Sequence, residues 1–264
     1  MHKIKPTNIS ALMLAANFFK GNYALSFTAV AIIIIVELLT LIPAAGMIFS
    51  ILSLVVTFSI QVFFGKAVIV LENEEDIKKI AANTRIGELI GNFINVAAGV
   101  TAAYLSIGIV LGIIFYLIFA LGGGAVVMQD MQTMTREEMM VYMSGSMGVS
   151  MFFLIVIASF LFYVFPAVMG LAIKKDRFAE AFRSIFLLFS PTVWKTTFNK
   201  EYLIFIVKWS LILFALSLVV FAMAMSIILF PVVMVIAYYI MLYNAAVYVF
   251  AERLSIEKAE EESV

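Results

Sequence analysis

The sequence has no cysteine, a single histidine and few charged residues. Without cysteine the chain forms no disulfide, thiolate metal site or iron–sulfur cluster, and the lone His2 provides no pair of histidine ligands for haem or zinc. Only 13% of the 264 residues are charged, against about 25% in soluble domains. Seventeen Lys and Arg balance seventeen Asp and Glu, so the chain lacks the basic excess that nucleic acid requires.

Apolar residues, by contrast, make up 64% of the chain, and the mean hydropathy is +1.12. Six apolar stretches reach the roughly 20 residues that a membrane-spanning helix needs. They cover residues 23–42, 46–71, 93–121, 149–173, 202–224 and 227–250. Merging the spans that are joined by uncharged turns would give helices of about 50 residues, twice what a bilayer holds. The sequence therefore predicts one all-α integral membrane domain over residues 1–264, with six transmembrane helices in three hairpins.

The basic residues lie almost entirely on one side of these spans. Sixteen of the seventeen fall at the ends and connectors that share a side with the termini, and only Arg136 falls on the other. Because short cytoplasmic loops are enriched in Lys and Arg, we expect both termini in the cytoplasm and the protein in the cytoplasmic (inner) membrane. Residues 1–22 contain no continuous apolar core with a cleavage site, so the first span is expected to remain as an anchor.

Two amphipathic helices are predicted on the cytoplasmic face. The first precedes span one and has Asn8 on its polar side, and the second follows span four with Asp176 as its N-cap. Their apolar stripes consist of Ile9, Leu12, Met13, Ala16 and Phe19 in the first helix, and of Phe178, Phe182, Ile185, Phe186 and Phe189 in the second.

The connector over residues 72–92 is the most polar part of the chain. Its charges favour either a solvated helical loop with balanced ion pairs or a surface that docks a cytoplasmic protein partner. An approximate repeat relates the first and last helix pairs at a spacing of 179 residues, which aligns Tyr23 with Tyr202 and Ala67 with Ala246. Since both pairs start and end inside, the repeat would be parallel.

Glu37 is the only carboxylate well inside a span, where a charge costs at least about 2–3 kcal/mol, and such a residue is by default a functional hypothesis. One interpretation is a substrate or ion pathway, and the other is a protonated or hydrated side chain that bonds to a neighbouring helix. The last span concentrates further polar groups that either line this pathway or form interhelical hydrogen bonds. The candidate pathway residues are Glu37, Gln61, Tyr239, Tyr243 and Asn244.

The outer segment over residues 122–148 is rich in methionine. Met128, Met131 and Met134 recur every third residue, and clustered thioethers are ligands that select Cu(I). The alternative is an adaptable apolar surface that lies against the bilayer or binds a protein partner. Asp130, Glu137 and Glu138 lack an accompanying nucleophile, so no enzyme is expected.

The order of elements and the inner segment LAIKKDRFAEAFRSIFLLFSPTVW, residues 171–194, resemble a family. The chain is similar to six-helix bacterial and archaeal membrane proteins classed as domains of unknown function, and to the membrane domain sometimes fused to glycerophosphodiester phosphodiesterases. We expect no catalytic residue to carry over, because residues 1–264 are expected to form a single integral membrane domain without a soluble phosphodiesterase domain. The resemblance implies a non-enzymatic inner-membrane role linked to lipids or to a membrane complex.

These observations lead to three functional hypotheses. The first is a non-catalytic membrane protein that handles lipids or serves as the membrane subunit or scaffold of a larger assembly. The second is a secondary transporter of a small or amphiphilic substrate that uses Glu37. The third, which the Met-rich outer segment supports, is Cu(I) binding.

Overall fold

The computed structural model describes residues 4–119, 148–224 and 227–261, together with Thr135 and Glu137. Helices dominate these residues, and no strand occurs among them. Within the same residues, six helices are long and apolar enough to cross a membrane. The prediction of an all-α polytopic membrane protein is therefore confirmed.

The helices follow the predicted spans closely, with short helices between them. The first half contains α1 (Asn8–Gly21), α2 (Tyr23–Thr40), α3 (Gly46–Val70), α4 (Asp76–Asn83), α5 (Ile86–Gly91) and α6 (Ile94–Phe119). The second half contains α7 (Gly148–Ile173), α8 (Phe178–Ile185), a 3-10 turn (Phe186–Phe189), α9 (Pro191–Thr197), α10 (Lys200–Ala224), a second 3-10 turn (Ile227–Leu229) and α11 (Phe230–Glu261). The last helix runs well beyond the predicted end at residue 250, because Ala, Glu, Arg and Lys there are good helix formers even though they are polar.

The turn between α2 and α3 depends on glycine. A Cβ atom at Gly46 would lie 2.3 Å from the carbonyl oxygen of Thr40, so a larger residue does not fit without moving the backbone. Two membrane-spanning helices are thus joined by a turn of five residues, which explains why the sequence shows no polar break between them.

Helix α1 packs into the protein through residues that lie outside its predicted apolar stripe. Its buried residues are Asn8, Ala11, Leu14, Ala15 and Phe18, and they contact α4 and α11. Ile9 and Met13, which belong to the predicted apolar stripe, are exposed. Asn8, which was predicted on the polar side of the helix, is buried and hydrogen-bonded within the protein. Ala11 and Ala15 permit a close helix contact on the buried side, where Leu14 and Phe18 fill the space between the helices.

The connector over residues 72–92 is partly packed against α1. Ile77 and Ala81 of α4 are fully buried, and a Cβ at Gly21 would lie 2.8 Å from the carbonyl oxygen of Lys78. The opposite side of the connector carries the exposed ion pairs Lys78–Glu75 at 2.6 Å and Lys79–Asp76 at 2.7 Å. The connector therefore has one structural side and one charged, solvated side.

An asparagine begins each of the two helix pairs of the predicted repeat. The Oδ1 atom of Asn22 accepts from the backbone N–H of Leu25 at the start of α2, and Asn199 accepts from Tyr202 at the start of α10. Each asparagine also donates through Nδ2 to a backbone carbonyl, that of Ala81 in α4 for Asn22 and that of Leu254 in α11 for Asn199. The two asparagines and the N–H groups from which they accept are 177 residues apart, two fewer than the predicted spacing, while the two acceptor carbonyls are 173 residues apart.

The described residues group into two compact units. The first includes those of Met1–Ala103 and Val164–Val264, and the second includes those of Tyr104–Tyr163. Every contact described below lies within the first unit.

Candidate functional site

A polar network connects α1 to α10 and α11. The hydroxyl of Tyr243 donates to Asn8 Oδ1 at 2.8 Å, and Asn8 Nδ2 donates to the carbonyl oxygen of Phe205 at 2.9 Å. One turn away, the hydroxyl of Tyr239 donates to the carbonyl oxygen of Leu12 at 2.8 Å. Through these bonds two tyrosines of a membrane-spanning helix hold the N-terminal helix in place.

A second hydrogen bond joins α10 directly to α11. The indole Nε1 of Trp209 donates to Asn244 Oδ1 at 2.9 Å, and the indole is almost fully buried. Three of the predicted pathway residues, Tyr239, Tyr243 and Asn244, thus make hydrogen bonds between helices. Bonds of this kind contribute about 0.6 kcal/mol each inside membrane proteins.

The remaining two predicted pathway residues lie elsewhere on α2 and α3. Glu37 is exposed near the end of α2, and its Oε1 accepts a hydrogen bond from the Ser53 hydroxyl. Gln61 is buried in α3, and its Oε1 has no hydrogen-bond partner within the described part of the chain. Eight residues of helix separate Ser53 from Gln61, about 12 Å along the axis. Tyr239, Tyr243 and Asn244 of α11 therefore bond to α1 and α10, whereas Glu37 bonds to α3 through Ser53, and no hydrogen bond among the described residues joins Glu37 to the other three.

Two ion pairs fix the end of α7 to its neighbours. Lys174 Nζ lies 2.5 Å from Glu252 Oε2 of α11, and Lys66 Nζ of α3 lies 2.6 Å from Asp176 Oδ1. The Lys66 ammonium also lies 5.1 Å from the centre of the Phe93 ring, a cation–π distance. The hydrogen bond and the positive charge of Lys66 lower the pKa of the Asp176 carboxyl below its usual value. The charges of Lys174 and Asp176, which lie on either side of Lys175, are thereby neutralised by side chains of α11 and α3.

Glu252 is a buried carboxylate that sequence analysis missed. Its side chain is 1% exposed, and its Cβ would lie 2.4 Å from a Cβ placed at Gly170 of α7. Absence of a side chain at Gly170 is what allows α7 and α11 to approach so closely. The sequence places Glu252 after the last apolar stretch, beside Arg253, where it resembles a solvated charge. The sequence feature that comes closest to indicating its burial is that helix-forming residues continue beyond residue 250.

The second amphipathic helix was predicted correctly in position and incorrectly in detail. The N-cap of α8 is Arg177, not Asp176, whose carboxylate instead binds Lys66. The predicted apolar stripe divides between two sides: Ile185 is buried, while Phe178 is exposed. Ala181, Ser184 and Leu188 share the buried side with Ile185. The helix therefore packs through one apolar face and presents another outward.

The predicted copper ligands Met128, Met131 and Met134 lie outside the described residues, as does the 122–148 segment except for Thr135, Glu137 and Gly148. Within the part of the chain that the structure covers, no group of three or more His, Cys, Asp or Glu side chains is arranged to hold a metal ion. Copper binding by the outer segment stays a prediction.

Comparison with known proteins finds no relative of this chain. No family model matches it, and neither a curated protein nor a solved structure does so. Nothing found bears on the resemblance to the membrane domain fused to glycerophosphodiester phosphodiesterases. Function must therefore be inferred from the residues and geometry described above.

Proposed function

We propose that this integral membrane protein is non-catalytic and handles lipids or serves as the membrane subunit of a larger assembly. The observation that carries the proposal is that its two interfacial helices are fixed by one face and leave an apolar face outward. Helix α1 is held by Tyr239 and Tyr243 while Ile9 and Met13 are exposed. Helix α8 is buried through Ile185, while Phe178 is exposed and Phe182 is partly exposed.

Such faces are expected to be covered by lipid or by another protein. A helix that only closed the bundle would gain nothing from exposed large apolar side chains, since their burial is what stabilises a fold. Amphipathic helices at a membrane surface bury this face about 5–10 Å into the boundary between headgroups and acyl chains. The polar groups around α11 support a structural role, because they hold helices together.

The test is to purify the full chain in a mild detergent and measure its mass and bound lipids by native mass spectrometry. We expect retained phospholipid or a stoichiometric protein partner. Replacing the outward residues of α1, with Ile9→Asn and Met13→Gln, should reduce the retained material. A matched change of the exposed residues Met47→Gln and Ile48→Asn, at the other end of the first helix pair, should not. A lone monomer without lipid or partner would contradict the proposal.

A secondary transporter is the alternative function, and Gln61 is the observation that favours it. A buried amide oxygen without a partner costs free energy, so its presence is explained if a substrate or water binds there. Glu37 would then act near the outer end of α2, where it accepts from Ser53. The substrate would be small or amphiphilic.

Thiol labelling separates the alternative from the main proposal, because the natural chain has no cysteine. In a transporter that opens to either side, Gln61→Cys becomes accessible to a membrane-impermeant maleimide. The neighbouring Ile60→Cys, on a fully buried position of the same helix, is the matched control and should remain unlabelled. If Gln61→Cys also resists labelling from both sides of the membrane, the transport hypothesis is excluded.

A further inference from the structure

Four exposed or partly exposed phenylalanines lie on α8 and the 3-10 turn that follows it. Phe178 is 46% exposed, Phe186 39% and Phe189 44%, while Phe182 is partly exposed. The rings of Phe178 and Phe182 are stacked with centres 6.2 Å apart, and those of Phe182 and Phe186 lie 5.1 Å apart. Below, Phe178, Phe182, Phe186 and Phe189 are called the phenylalanine face.

Phe178 contacts the first turns of α6, a helix long and apolar enough to cross a membrane. A Cβ at Gly99 would lie 2.4 Å from the carbonyl oxygen of Phe178, so the two backbones touch at this point. Gly99 lies five residues after Ile94, where α6 begins, which corresponds to about 7 Å along the helix. A surface helix at that depth has its apolar side at the boundary between headgroups and acyl chains.

Basic side chains with no ion pair among the described residues occur in the same chain segment as the phenylalanine face. Residues 174–200 contain six basic and two acidic residues. The ion pairs with Glu252 and Lys66 neutralise Lys174 and Asp176, respectively. No ion pair occurs for the other charged residues of this segment within the described part of the chain. They are the basic residues Lys175, Arg177, Arg183, Lys195 and Lys200, and the acidic residue Glu180.

The other inner connector has the opposite character. Residues 72–88 contain five acidic and three basic residues, and Lys78 and Lys79 are both paired within the connector. Its apolar residues Ile77, Ala81 and Leu89 are fully buried. Net positive charge and exposed aromatic rings thus occur together on one inner segment and are both missing from the other.

From this coincidence we propose that the phenylalanine face inserts among the acyl chains of the inner leaflet and that Arg177, Arg183 and Lys175 bind anionic phospholipid headgroups. Aromatic insertion accounts for the exposed rings, and the unpaired cations account for the preference for a negative headgroup. This inference rests on the proposed lipid-handling function and specifies its lipid class. The 72–92 connector stays in water.

The first test measures depth in the full-length protein, reconstituted in nanodiscs that contain phosphatidylcholine and phosphatidylglycerol. Because the chain has no cysteine, a spin label attaches only at Phe182→Cys or, as the matched control, at the exposed Ala82→Cys of α4. We expect the label at 182 to be relaxed mainly by oxygen and the label at 82 mainly by a water-soluble nickel complex. Relaxation of both labels by nickel would overturn the proposal.

The second test measures lipid selectivity with the same nanodiscs and spin-labelled phosphatidylglycerol or phosphatidylcholine. Each basic residue near an anionic surface changes association about fivefold. The double variant Arg177→Gln, Arg183→Gln should therefore reduce the preference for phosphatidylglycerol by at least that factor. Lys78→Gln, Lys79→Gln, which removes the same charge from the other connector, should leave the preference unchanged.

The outcomes distinguish this inference from the function on which it rests. Equal retention of both lipids by the natural chain, or equal loss in the two charge variants, overturns the anionic site while bound lipid still supports lipid handling. A protein that retains neither lipid and forms no complex contradicts both. Should the Phe182→Cys variant fold poorly, the charge variants alone decide the question, since their side chains are exposed.

Discussion

Single polar residues of this protein hold helices together around α11. Tyr243 is the clearest case, because its hydroxyl and the Asn8 amide form a chain that ends on the Phe205 carbonyl. A buried donor or acceptor that loses its partner costs about 1–3 kcal/mol, so each member of such a chain depends on the others. The tyrosines therefore determine where the N-terminal helix lies.

Removing the Tyr243 hydroxyl should loosen this attachment. We expect Tyr243→Phe to lower the free energy of unfolding in detergent by about 1 kcal/mol, since Asn8 loses its donor while buried. A double-mutant cycle with Asn8→Ala should give a coupling energy of about 0.6 kcal/mol. Tyr23→Phe is the control, because the Tyr23 ring is exposed and should be insensitive to loss of its hydroxyl. Additive effects of the Tyr243 and Asn8 changes would contradict the proposed bond.

The ion pair between Lys174 and Glu252 should respond unequally to removal of its two partners. Lys174→Met leaves a buried carboxylate without a counter-charge and should lower the free energy of unfolding by up to about 3 kcal/mol. This is the lower end of the range for buried ion pairs, because Lys174 is half exposed. Glu252→Gln leaves an ammonium that can reach water, so it should cost less. The double variant should be more stable than Lys174→Met alone in an SDS unfolding titration. Equal costs for the two single variants would show that Glu252 is not buried as a charge.

At the scale of helices, close approach is set by glycine. Gly170 of α7 faces the backbone of α11, where a Cβ would lie 2.2 Å from the carbonyl oxygen of Tyr248. Gly99 makes the equivalent contact between α6 and the start of α8. These contacts position the Lys174–Glu252 pair and the phenylalanine face, respectively.

Substituting alanine at Gly170 should force α7 and α11 apart. Because the obstructing atoms belong to the backbone, we expect a loss of stability toward the upper end of the 1–3 kcal/mol typical of overpacking. Gly108→Ala is the matched control, since nothing lies near a Cβ at that position of α6 and alanine favours helix by about 1 kcal/mol. Melting temperatures in detergent should move in opposite directions for the two variants. A Gly170→Ala protein as stable as the natural chain would exclude the close contact.

An element could be predicted from the sequence where the interactions that form it are local along the chain. It could not be predicted where its packing depends on residues far away in the sequence. The six long helices depend on local hydropathy, so runs of apolar residues, such as those that contain Ile33 and Val56, identify them directly. The packed face of α1 depends on α4 and α11, which bury Ala15 in preference to the larger Met13. Glu252 was missed for the same reason, because its burial is determined by Gly170, which lies 82 positions earlier in the chain.

For the whole molecule, the distribution of charge matters more than its sum. The formal net charge is zero, yet sixteen of seventeen basic residues are predicted inside, and the inner connectors differ in sign. The basic one presents the phenylalanine face, and the acidic one packs its apolar residues against the protein. Orientation in the membrane therefore determines whether this face meets the inner leaflet, whose surface is negatively charged.

Labelling of single cysteines tests this orientation. One span, α6, separates Ala82 from Glu137, and a second span, α7, separates Glu137 from Ala179, and all three residues are exposed. In right-side-out vesicles we expect an impermeant maleimide to label Glu137→Cys at once. Ala82→Cys and Ala179→Cys should react only after the membrane is permeabilised, because the basic connectors lie inside. Labelling of Ala82→Cys and Ala179→Cys in sealed vesicles would invert the topology and place the phenylalanine face against the outer leaflet. Labelling of all three from one side would show that α6 and α7 do not cross the membrane.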